Sequence, residues 1–446
     1  MSLPILTAVT DSNVEAGLVS AFDRRDLGVT VVRRCVDLPD LLAAATTGAA
    51  RAALLSADLR RLDRDALSRL AMSGIAVVGL IAPGDEDADR RLRQLGVAAV
   101  IPADATAEVV AGAVVEASRA LATHPAAPAV SAPAGAWPTS YSEALPGFGQ
   151  LAPFGADGDV AELAEAGGGR VIAVWGPAGA PGRTTLALCL AAEIAGLGVP
   201  TLLVDADSYG GAIGQLVGLL EEAPGLAAAA RSANQGLLDV PRLAMLCRDL
   251  GDGLRVLPGI ARPSRWPELR PASIETVLSL ARRLAAFVVV DCGFCLESDE
   301  ELSFDTAAPR RNGATLAVLE AADIVLAVAS AEPVGLVRFV RGLADLRESV
   351  PAVDPLIVVN RLRPSVVGGD PSREVSRSIM RHTGSEPVAL IPYDLAGLDA
   401  AQVAGQLLRD IASTSPARLA IRDLAGRLVG RQAVSRRRGM FRRHAR

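Results

Sequence analysis

The sequence predicts an α/β protein with a doubly wound, mostly parallel sheet, preceded by a smaller (βα)5 unit. Short aliphatic runs alternate with helical patterns along both parts of the chain. Half of the residues are apolar but only 3% are aromatic, so Ala, Leu and Val make up the apolar mass. That composition suits helices packed on parallel strands. At 446 residues the chain is also longer than one hydrophobic core usually supports.

Composition divides the chain into four predicted segments. We expect a first βα unit over residues 1–122 and a second, larger unit over residues 169–430. Between them, residues 123–168 are rich in Ala, Pro, Gly and Ser, which is typical of a flexible linker without a core of its own. Residues 431–446 hold seven arginines and form a predicted basic tail.

In the first unit, alternating patterns predict five strands with helices between them. The predicted strands are Ile5–Val9, Val29–Val32, Ala52–Leu55, Ala76–Ile81 and Ala99–Ile101. The clearest predicted helices are Asp63–Met72, Asp87–Leu95 and Ala107–Leu121.

This (βα)5 layout resembles a response-regulator receiver domain, but the acceptor chemistry of a receiver is missing. Ser56 stands near the end of the third strand, where a receiver has an aspartate, and Asp58 comes slightly too late. Only Asp11 remains of the acidic cluster after the first strand. We therefore expect a module that is not phosphorylated and that serves in docking or dimerisation.

The second unit shows the same alternation over a longer stretch. The predicted strands are Val171–Trp175, Pro200–Val204, Leu254–Leu257, Phe287–Val290, Ile324–Ala329, Leu356–Val359 and Val388–Ile391, with helices such as Ser273–Ala285 and Val334–Arg347 between them. In such a sheet, ligands are expected at the carboxyl ends of the strands.

The stretch Val171 to Thr185, VIAVWGPAGAPGRTT, combines a buried strand, a Gly/Pro/Ala loop and a helix that opens with two threonines. That layout is typical of a phosphate-binding loop. The first N–H groups of a helix are unpaired and carry partial positive charge, so an anion binds there favourably. The alternative is an ordinary strand-to-helix turn that binds no phosphate.

Carboxylates follow two later strands of this unit. Asp205 and Asp207 come after the strand that follows the loop helix, and Asp291 ends the strand FVVVD. Each could be an acidic strand end exposed to solvent, but their order behind the loop favours a joint role in a phosphate and metal site. Arg310 and Arg311 follow in a loop that could approach this site, unless they form a solvated basic pair.

With the loop and these carboxylates, the second unit resembles the ParA/MinD P-loop ATPases, a SIMIBI-type fold whose loop reads K-G-G-x-G-K-T-T. Positions that match this pattern are Gly179, Gly182, Thr184 and Thr185. Ala178 replaces the signature lysine, Ala180 replaces a glycine, and Arg183 replaces the phosphate-gripping lysine. Pro181 falls on the variable position and lacks an N–H donor. No lysine occurs anywhere in the chain, so a general bias toward arginine could explain Arg183.

The resemblance implies ATP and Mg²⁺ as cofactors and assigns roles to single residues. Thr184 would bind Mg²⁺ directly and Asp291 would hold it through water. Asp207 would orient the attacking water, and Arg183 would grip phosphate as the second catalytic residue. The remaining residues of the implied nucleotide site are Gly179, Ala180, Pro181, Gly182, Thr185, Asn360, Pro392 and Asp394. The last three of these would contact the base.

A receiver-like unit, a linker and such an ATPase resemble the CpaE/TadZ branch of the family. That branch implies a homodimer that places Tad-pilus machinery, while actinobacterial relatives are named septum-site-determining proteins. The resemblance therefore also implies protein partners from a pilus or division machinery. Because the loop is degenerate, we expect weak ATP hydrolysis or none. The alternatives are a scaffold that binds no nucleotide and an active partition ATPase on DNA. The degenerate loop and the net negative charge disfavour the partition ATPase.

Net charge and cysteine usage limit the cellular location and the partners that can be expected for the protein. The net charge of −5 makes nucleic acid an unlikely partner of the whole chain. Five scattered cysteines and the absence of a signal-peptide pattern favour the cytoplasm. The basic tail could reach anionic lipid at the inner face of the membrane, with a solvated tail as the alternative.

Overall fold

The computed structural model describes residues 2–123, 168–179, 182–219, 225–297, 309–365 and 369–430. Its contacts divide the chain into two compact units: the first is built mainly on residues 2–123 together with residues 229–239, and the second mainly on the other residues from 168 onward. The linker predicted over 123–168 lies outside the described residues except at its two ends, and the tail predicted over 431–446 lies wholly outside them.

The first unit alternates five strands with five helices. Its strands are β1 (Leu3–Ala8), β2 (Val29–Arg34), β3 (Ala52–Ser56), β4 (Ala76–Ile81) and β5 (Ala99–Pro102). Its helices are α1 (Ser12–Arg24), α2 (Leu38–Ala45), α3 (Arg64–Met72), α4 (Glu86–Leu95) and α5 (Ala107–Thr123).

All five strands of the first unit are parallel, in the order β2-β1-β3-β4-β5, which is the flavodoxin-like order. Side chains alternate between the faces of the sheet, so Ile5 and Leu6 enter different cores. Helices α1 and α5 cover the face of Ile5, whereas α2, α3 and α4 cover the face of Leu6.

The first four helices of this unit begin at an aspartate whose carboxylate accepts a hydrogen bond from a backbone N–H of the first turn. These N-cap residues are Asp11, Asp37, Asp63 and Asp85. Because the first N–H groups of a helix have no partner within it, such caps fix where each helix starts.

The second unit holds eight strands among the described residues. They are β6 (Arg170–Trp175), β7 (Thr201–Ala206), β8 (Arg248–Asp249), β9 (Leu254–Leu257), β10 (Phe287–Cys292), β11 (Ile324–Ser330), β12 (Leu356–Leu362) and β13 (Ala389–Pro392).

Helices connect these strands, together with one 3₁₀ segment at Pro263–Glu268. They are α6 (Arg183–Gly196), α7 (Ile213–Leu216), α8 (Leu226–Asn234), α9 (Val240–Leu246), α10 (Pro271–Leu284), α11 (Gly313–Ala321), α12 (Pro333–Ser349), α13 (Pro371–Thr383), α14 (Leu395–Ala404), α15 (Leu408–Ile411) and α16 (Pro416–Leu428).

The strand order is β13-β12-β11-β6-β10-β7-β9-β8, and every pair is parallel except β8 with β9. Strand β6 lies at the centre, and the chain crosses it between β10 and β11. The crevice at the carboxyl ends of β6, β10 and β11 is therefore a topological switch point, where such sheets bind ligands. This strand order confirms the predicted α/β fold with a mostly parallel sheet.

Helix α6 lies inside the second unit and not on its surface. Each of its residues from Leu186 to Ala195 is buried, packed between the sheet and α16. Burial on all sides explains why the helix reads as an almost unbroken apolar run. Within the part of the chain that the structure describes, no helix is both long and apolar enough to cross a membrane.

Candidate functional site

The loop between β6 and α6 lies at the central switch point of the second sheet. Gly176 and Pro177 are buried behind it, while Ala178 and Gly179 are exposed. Gly182 caps α6 with a φ of 96°, in the left-handed region that favours glycine. Its position leaves the first N–H groups of a 14-residue helix without a side-chain cap. Such a terminus is suited to hold an anion.

Of the other loop residues in the predicted site, Thr184 and Thr185 are half-buried in the first turn of α6. Ala180 and Pro181 lie outside the described residues. Their predicted effects on the phosphate cradle therefore stay predictions.

Arg183, in the position predicted to grip phosphate, turns its guanidinium back under the loop. Its Nη1 donates to the carbonyl oxygens of Gly176 at 2.9 Å and Pro177 at 3.3 Å. Its Nη2 lies 3.7 Å from Oδ2 of Asp207, and the side chain is only 14% exposed. The guanidinium therefore links the start of the loop to the carboxylate that follows β7.

Asp291 lies near the end of β10, and its carboxylate is fully buried. Strand β10 pairs it with Val174 of β6 on one side and with Asp205 of β7 on the other. Neither carboxylate oxygen has a partner in hydrogen-bonding geometry among the described residues. Burial raises the pKa of Asp291 well above its usual range, and the nearby negative charge of Asp205 raises it further. The Thr184 hydroxyl lies close enough to oppose that rise in pKa.

The two aspartates after β7 have different environments. Asp205 accepts hydrogen bonds from the backbone N–H groups of Asp207 at 3.3 Å and Ile213 at 3.1 Å, so it organises the loop that follows. Burial is the main cause that raises its pKa to about 6. Oδ1 of Asp207 accepts from the N–H groups of Tyr209 and Gly210, which leaves Oδ2 facing Arg183.

Aromatic side chains and a second arginine border this cluster, and the sequence reasoning missed the aromatic ones. The rings of Tyr209 and Phe294 lie 4.8 Å apart. The guanidinium carbon of Arg311 lies 4.0 Å from the Tyr209 ring centre, and that of Arg183 lies 5.9 Å from the Phe294 ring centre. Because aromatic residues are scarce in this chain, two of them flanking the predicted carboxylates were a usable signal.

Asn360 lies beside the loop that precedes α6. It pairs with Ser330 at the carboxyl ends of β12 and β11, and a methyl group built on Gly182 would lie 2.1 Å from its Nδ2. The amide therefore covers the N-terminus of α6.

Pro392 and Asp394 follow at the end of the sheet, where Pro392 pairs with Leu362 of β12. Asp394 caps α14 by accepting from the Gly397 N–H at 3.1 Å, and its other oxygen accepts from the Ser415 hydroxyl. Both carboxylate oxygens are thus engaged in structural contacts. The predicted contact of Asp394 with a base stays a prediction.

One further residue, which the sequence reasoning did not select, reaches over the loop from a distant helix. A methyl group built on Gly179 would lie 2.2 Å from Nη1 of Arg338, a residue of α12. No local pattern indicates this contact, because α12 reaches the loop only through the tertiary fold.

The residues present fit a phosphate chain and a hard divalent cation. Gly179 and Gly182 both have positive φ, and each has a nitrogen-bearing side chain over it, so the backbone and two donors converge on the loop. The unpartnered oxygens of Asp291, with the Thr184 hydroxyl nearby, are the hard ligands that Mg²⁺ prefers. Within the described ranges, no three His, Cys, Asp or Glu residues form a metal-binding group of their own. Mg²⁺ often binds through one carboxylate together with substrate phosphates.

No protein-family profile matches the chain, and no curated protein matches it. Several solved structures do match the chain. One is a ParA family ATPase from Chlorobium tepidum TLS, with 20% identity over 57% of this chain and 98% of that one, and a TM-score of 0.49. Another is the cell division ATPase MinD from Pyrococcus furiosus, with 19% identity over 58% and 98% and a TM-score of 0.45.

The septum site-determining protein MinD from Pyrococcus horikoshii OT3, solved with Mg-ADP, matches with 16% identity over 58% of this chain and 95% of that one. Its TM-score is 0.46. The solved structures similar to this chain thus include ParA and MinD proteins, and their similarity is confined to the fold. The site in this chain is defined by its own residues, of which the structure brings Arg183, Thr184, Asp207 and Asp291 together at the switch point.

Proposed function

We propose that the second unit binds ATP with Mg²⁺ at the switch-point loop and acts as a nucleotide-dependent localisation factor. One observation carries this proposal: Asp291 is fully buried, both of its oxygens lack partners among the described residues, and it lies near Thr184 below the start of α6. A buried, uncompensated carboxylate is costly for the fold, so a role with a bound cation gives a reason to keep it.

In this proposal, Mg²⁺ neutralises phosphate charge, and the protein positions the groups around it. The N-terminus of α6 holds the phosphates, Thr184 and Asp291 hold the cation, and Asn360 lies over the loop. Asp207 would orient the water that attacks the terminal phosphate. Its Oδ1 is fixed by two backbone N–H groups, but its Oδ2 faces the Arg183 guanidinium at 3.7 Å.

That arrangement supports slow hydrolysis. Water ordering by Asp207 competes with its contact to Arg183, and Arg183 is itself engaged with two loop carbonyls. Loss of one positioned donor or base commonly lowers the rate by orders of magnitude. A protein that holds nucleotide and hydrolyses it slowly remains in one state for a long time, which suits a spatial marker.

We place this factor in the CpaE/TadZ branch, as a homodimer that positions pilus or septum machinery from the cytoplasm. The order of its two units supports the branch, and the basic tail supports a peripheral contact with anionic lipid. A scaffold that binds no nucleotide is the second candidate. It is favoured by the guanidinium of Arg183, which already fills the base of the loop.

Titration calorimetry of the full chain with Mg-ATP tests the proposal. We expect saturable binding that Thr184→Ala and Asp291→Asn each weaken at least about tenfold, because each removes an oxygen ligand near the cation. Asp354→Asn is the matched control, since Asp354 is exposed in the loop before β12, at the opposite edge of the sheet. Absence of binding to the unmodified chain would favour the scaffold.

A further inference from the structure

The loop has no cation of its own that faces outward. Ala178 is neutral, and Arg183 points inward to the carbonyls of Gly176 and Pro177. Phosphate binding usually needs such a charge, because the backbone N–H groups of a helix start supply only partial positive charge. A cation from elsewhere in the fold would complete the site.

Helix α12 lies directly against the loop. A methyl group built on its Gly342 would lie 2.6 Å from Cβ of Pro177 and 3.4 Å from Cη2 of Trp175, so the absence of a side chain lets the two segments touch. Phe339, Leu343 and Leu346 are buried and anchor the helix to the unit. The position of α12 relative to the loop is therefore fixed by packing.

Arg338 lies one helical turn before Gly342, on the same side of α12. Its side chain runs over Gly179, where an added methyl group would lie 2.2 Å from Nη1, 3.4 Å from Cζ and 3.5 Å from Cδ. Two contacts one turn apart thus align the helix with the loop, Gly342 on Pro177 and Arg338 on Gly179. Arg338 is exposed and forms no ion pair or hydrogen bond with any residue that the structure describes.

We propose that Arg338 is a phosphate-binding residue, supplied by α12 to the loop of the same chain in place of the cation missing at Ala178. This inference rests on the proposed function and deepens it, since it names the group that binds the polyphosphate. A guanidinium suits this task because its planar fork can donate two parallel hydrogen bonds to phosphate oxygens. In consequence, a single chain provides this charge without help from a second copy.

The test compares Arg338→Ala, Arg338→Lys and Arg341→Ala in the full chain, by titration calorimetry with Mg-ATP and with Mg-ADP. Arg341 is the matched control, since it is an exposed arginine on the same helix. We expect Arg338→Ala to weaken nucleotide binding roughly 10- to 100-fold, as for loss of a charge-assisted contact. Arg338→Lys should recover part of the loss, and Arg341→Ala should bind like the unmodified chain. Melting temperatures without nucleotide should be the same for all variants.

Three results would overturn the inference, and they differ in what else they affect. If Arg338→Ala binds both nucleotides as tightly as the unmodified chain, Arg338 is not a phosphate ligand, while the proposed function stands. If the unmodified chain binds neither Mg-ATP nor Mg-ADP, the inference and the proposed function both fail. Equal losses in Arg338→Ala and Arg341→Ala would indicate a general charge effect and also contradict the inference.

Discussion

Two buried carboxylates on neighbouring strands illustrate how differently one residue type is used in this unit. Asp205 accepts two backbone hydrogen bonds, and Gly211 and Gly259 leave room for its carboxylate, so its burial serves the fold. Asp291 has no such bonds among the described residues, although it is just as buried. Under the proposed function, the contrast separates a structural carboxylate from one kept for a ligand.

We predict that Asp291→Asn stabilises the protein near pH 7.5, by about 1–3 kcal/mol, because it removes a buried carboxylate that has no hydrogen-bond partner among the described residues and is costly to ionise. The pKa of Asp291 is raised in the folded state. Such a group favours folding below its unfolded pKa of about 4, and that contribution is lost as pH rises toward the folded pKa. The gain from Asp291→Asn should therefore shrink as pH falls toward 4. Denaturant unfolding without Mg²⁺ between pH 4 and 7.5 measures it.

The control for this prediction is Asp354→Asn, which removes an exposed carboxylate and should change the free energy of unfolding by less than about 0.5 kcal/mol. If Asp291→Asn lowers stability at pH 7.5, the carboxylate has a partner in the folded state. It would then be part of the structure and not kept for a ligand.

The sequence identified single site residues only where a local pattern marks them. Asp291 was predictable because it ends an apolar strand, and Thr184 because it opens a helix after a glycine-bearing loop. Arg338 could not be predicted from the sequence, because its contact with Gly179 depends on how α12 packs across the sheet. The same limit applied to Arg311: its place in the loop was noted, but its stacking on Tyr209 needed the structure.

For elements, periodicity predicted nearly every strand and fixed its end within two residues, except in β12. Strand β4 has the predicted bounds, Ala76–Ile81, and β12 extends three residues beyond its predicted end, to Leu362. That extension begins with two polar residues, Asn360 and Arg361, so hydrophobic patterning could not signal it. Strand β8 was missed because two residues, Arg248–Asp249, carry no periodicity.

At the scale of elements, the contact between α12 and the loop that precedes α6 depends on Gly342. Alanine usually stabilises a helix relative to glycine by up to about 1 kcal/mol. At Gly342, however, its methyl group would lie 2.6 Å from Pro177. We predict that Gly342→Ala destabilises the protein by about 1–3 kcal/mol through overpacking and weakens Mg-ATP binding by displacing the loop. Denaturant unfolding and nucleotide titration measure the two effects.

Gly17→Ala is the matched change in a helix with free space. Gly17 lies on the exposed side of α1, and no atom lies within 4 Å of a methyl group built there. It should stabilise its unit by about 0.5–1 kcal/mol. Should Gly342→Ala prove as stabilising as Gly17→Ala, α12 does not press on the loop, and the alignment of Arg338 with Gly179 would lose its support.

Considered as a whole, the molecule uses one parallel and one mostly parallel sheet, and the carboxyl ends of their strands differ in chemistry. In the first unit the polar groups of this edge are satisfied within the unit. Buried Glu15 accepts from the Thr7 hydroxyl at 2.6 Å and from Arg34 at 2.8 Å. Arg91 donates to the carbonyl of Ala57 just beyond β3 at 2.8 Å. In the second unit the same edge leaves Asp291 without a partner among the described residues.

This difference predicts that the first unit is not an aspartyl-phosphate acceptor and that residues 1–122 fold on their own. Its own two-sided core supports independent folding. Acceptance of phosphate on an aspartate needs an available carboxylate and Mg²⁺ held by further carboxylates. Here Ser56 ends β3 and its Oγ accepts from the Thr10 N–H at 3.1 Å. Asp58, two residues later, accepts from the Thr10 hydroxyl at 2.6 Å, and Asp11 is engaged as the cap of α1.

Expressed alone, residues 1–122 should therefore unfold in one cooperative transition, since both faces of the sheet are covered within this segment. Incubation of this segment and of the full chain with a small phosphodonor and Mg²⁺ should leave the intact mass unchanged. Asp58→Asn serves as the control, because it keeps an acceptor for Thr10 and removes the only exposed carboxylate just after β3 in the described chain. An acid-labile adduct on the unmodified protein that Asp58→Asn abolishes would show a working acceptor, and the first unit would then be a regulated input to the second and not a constitutive docking module.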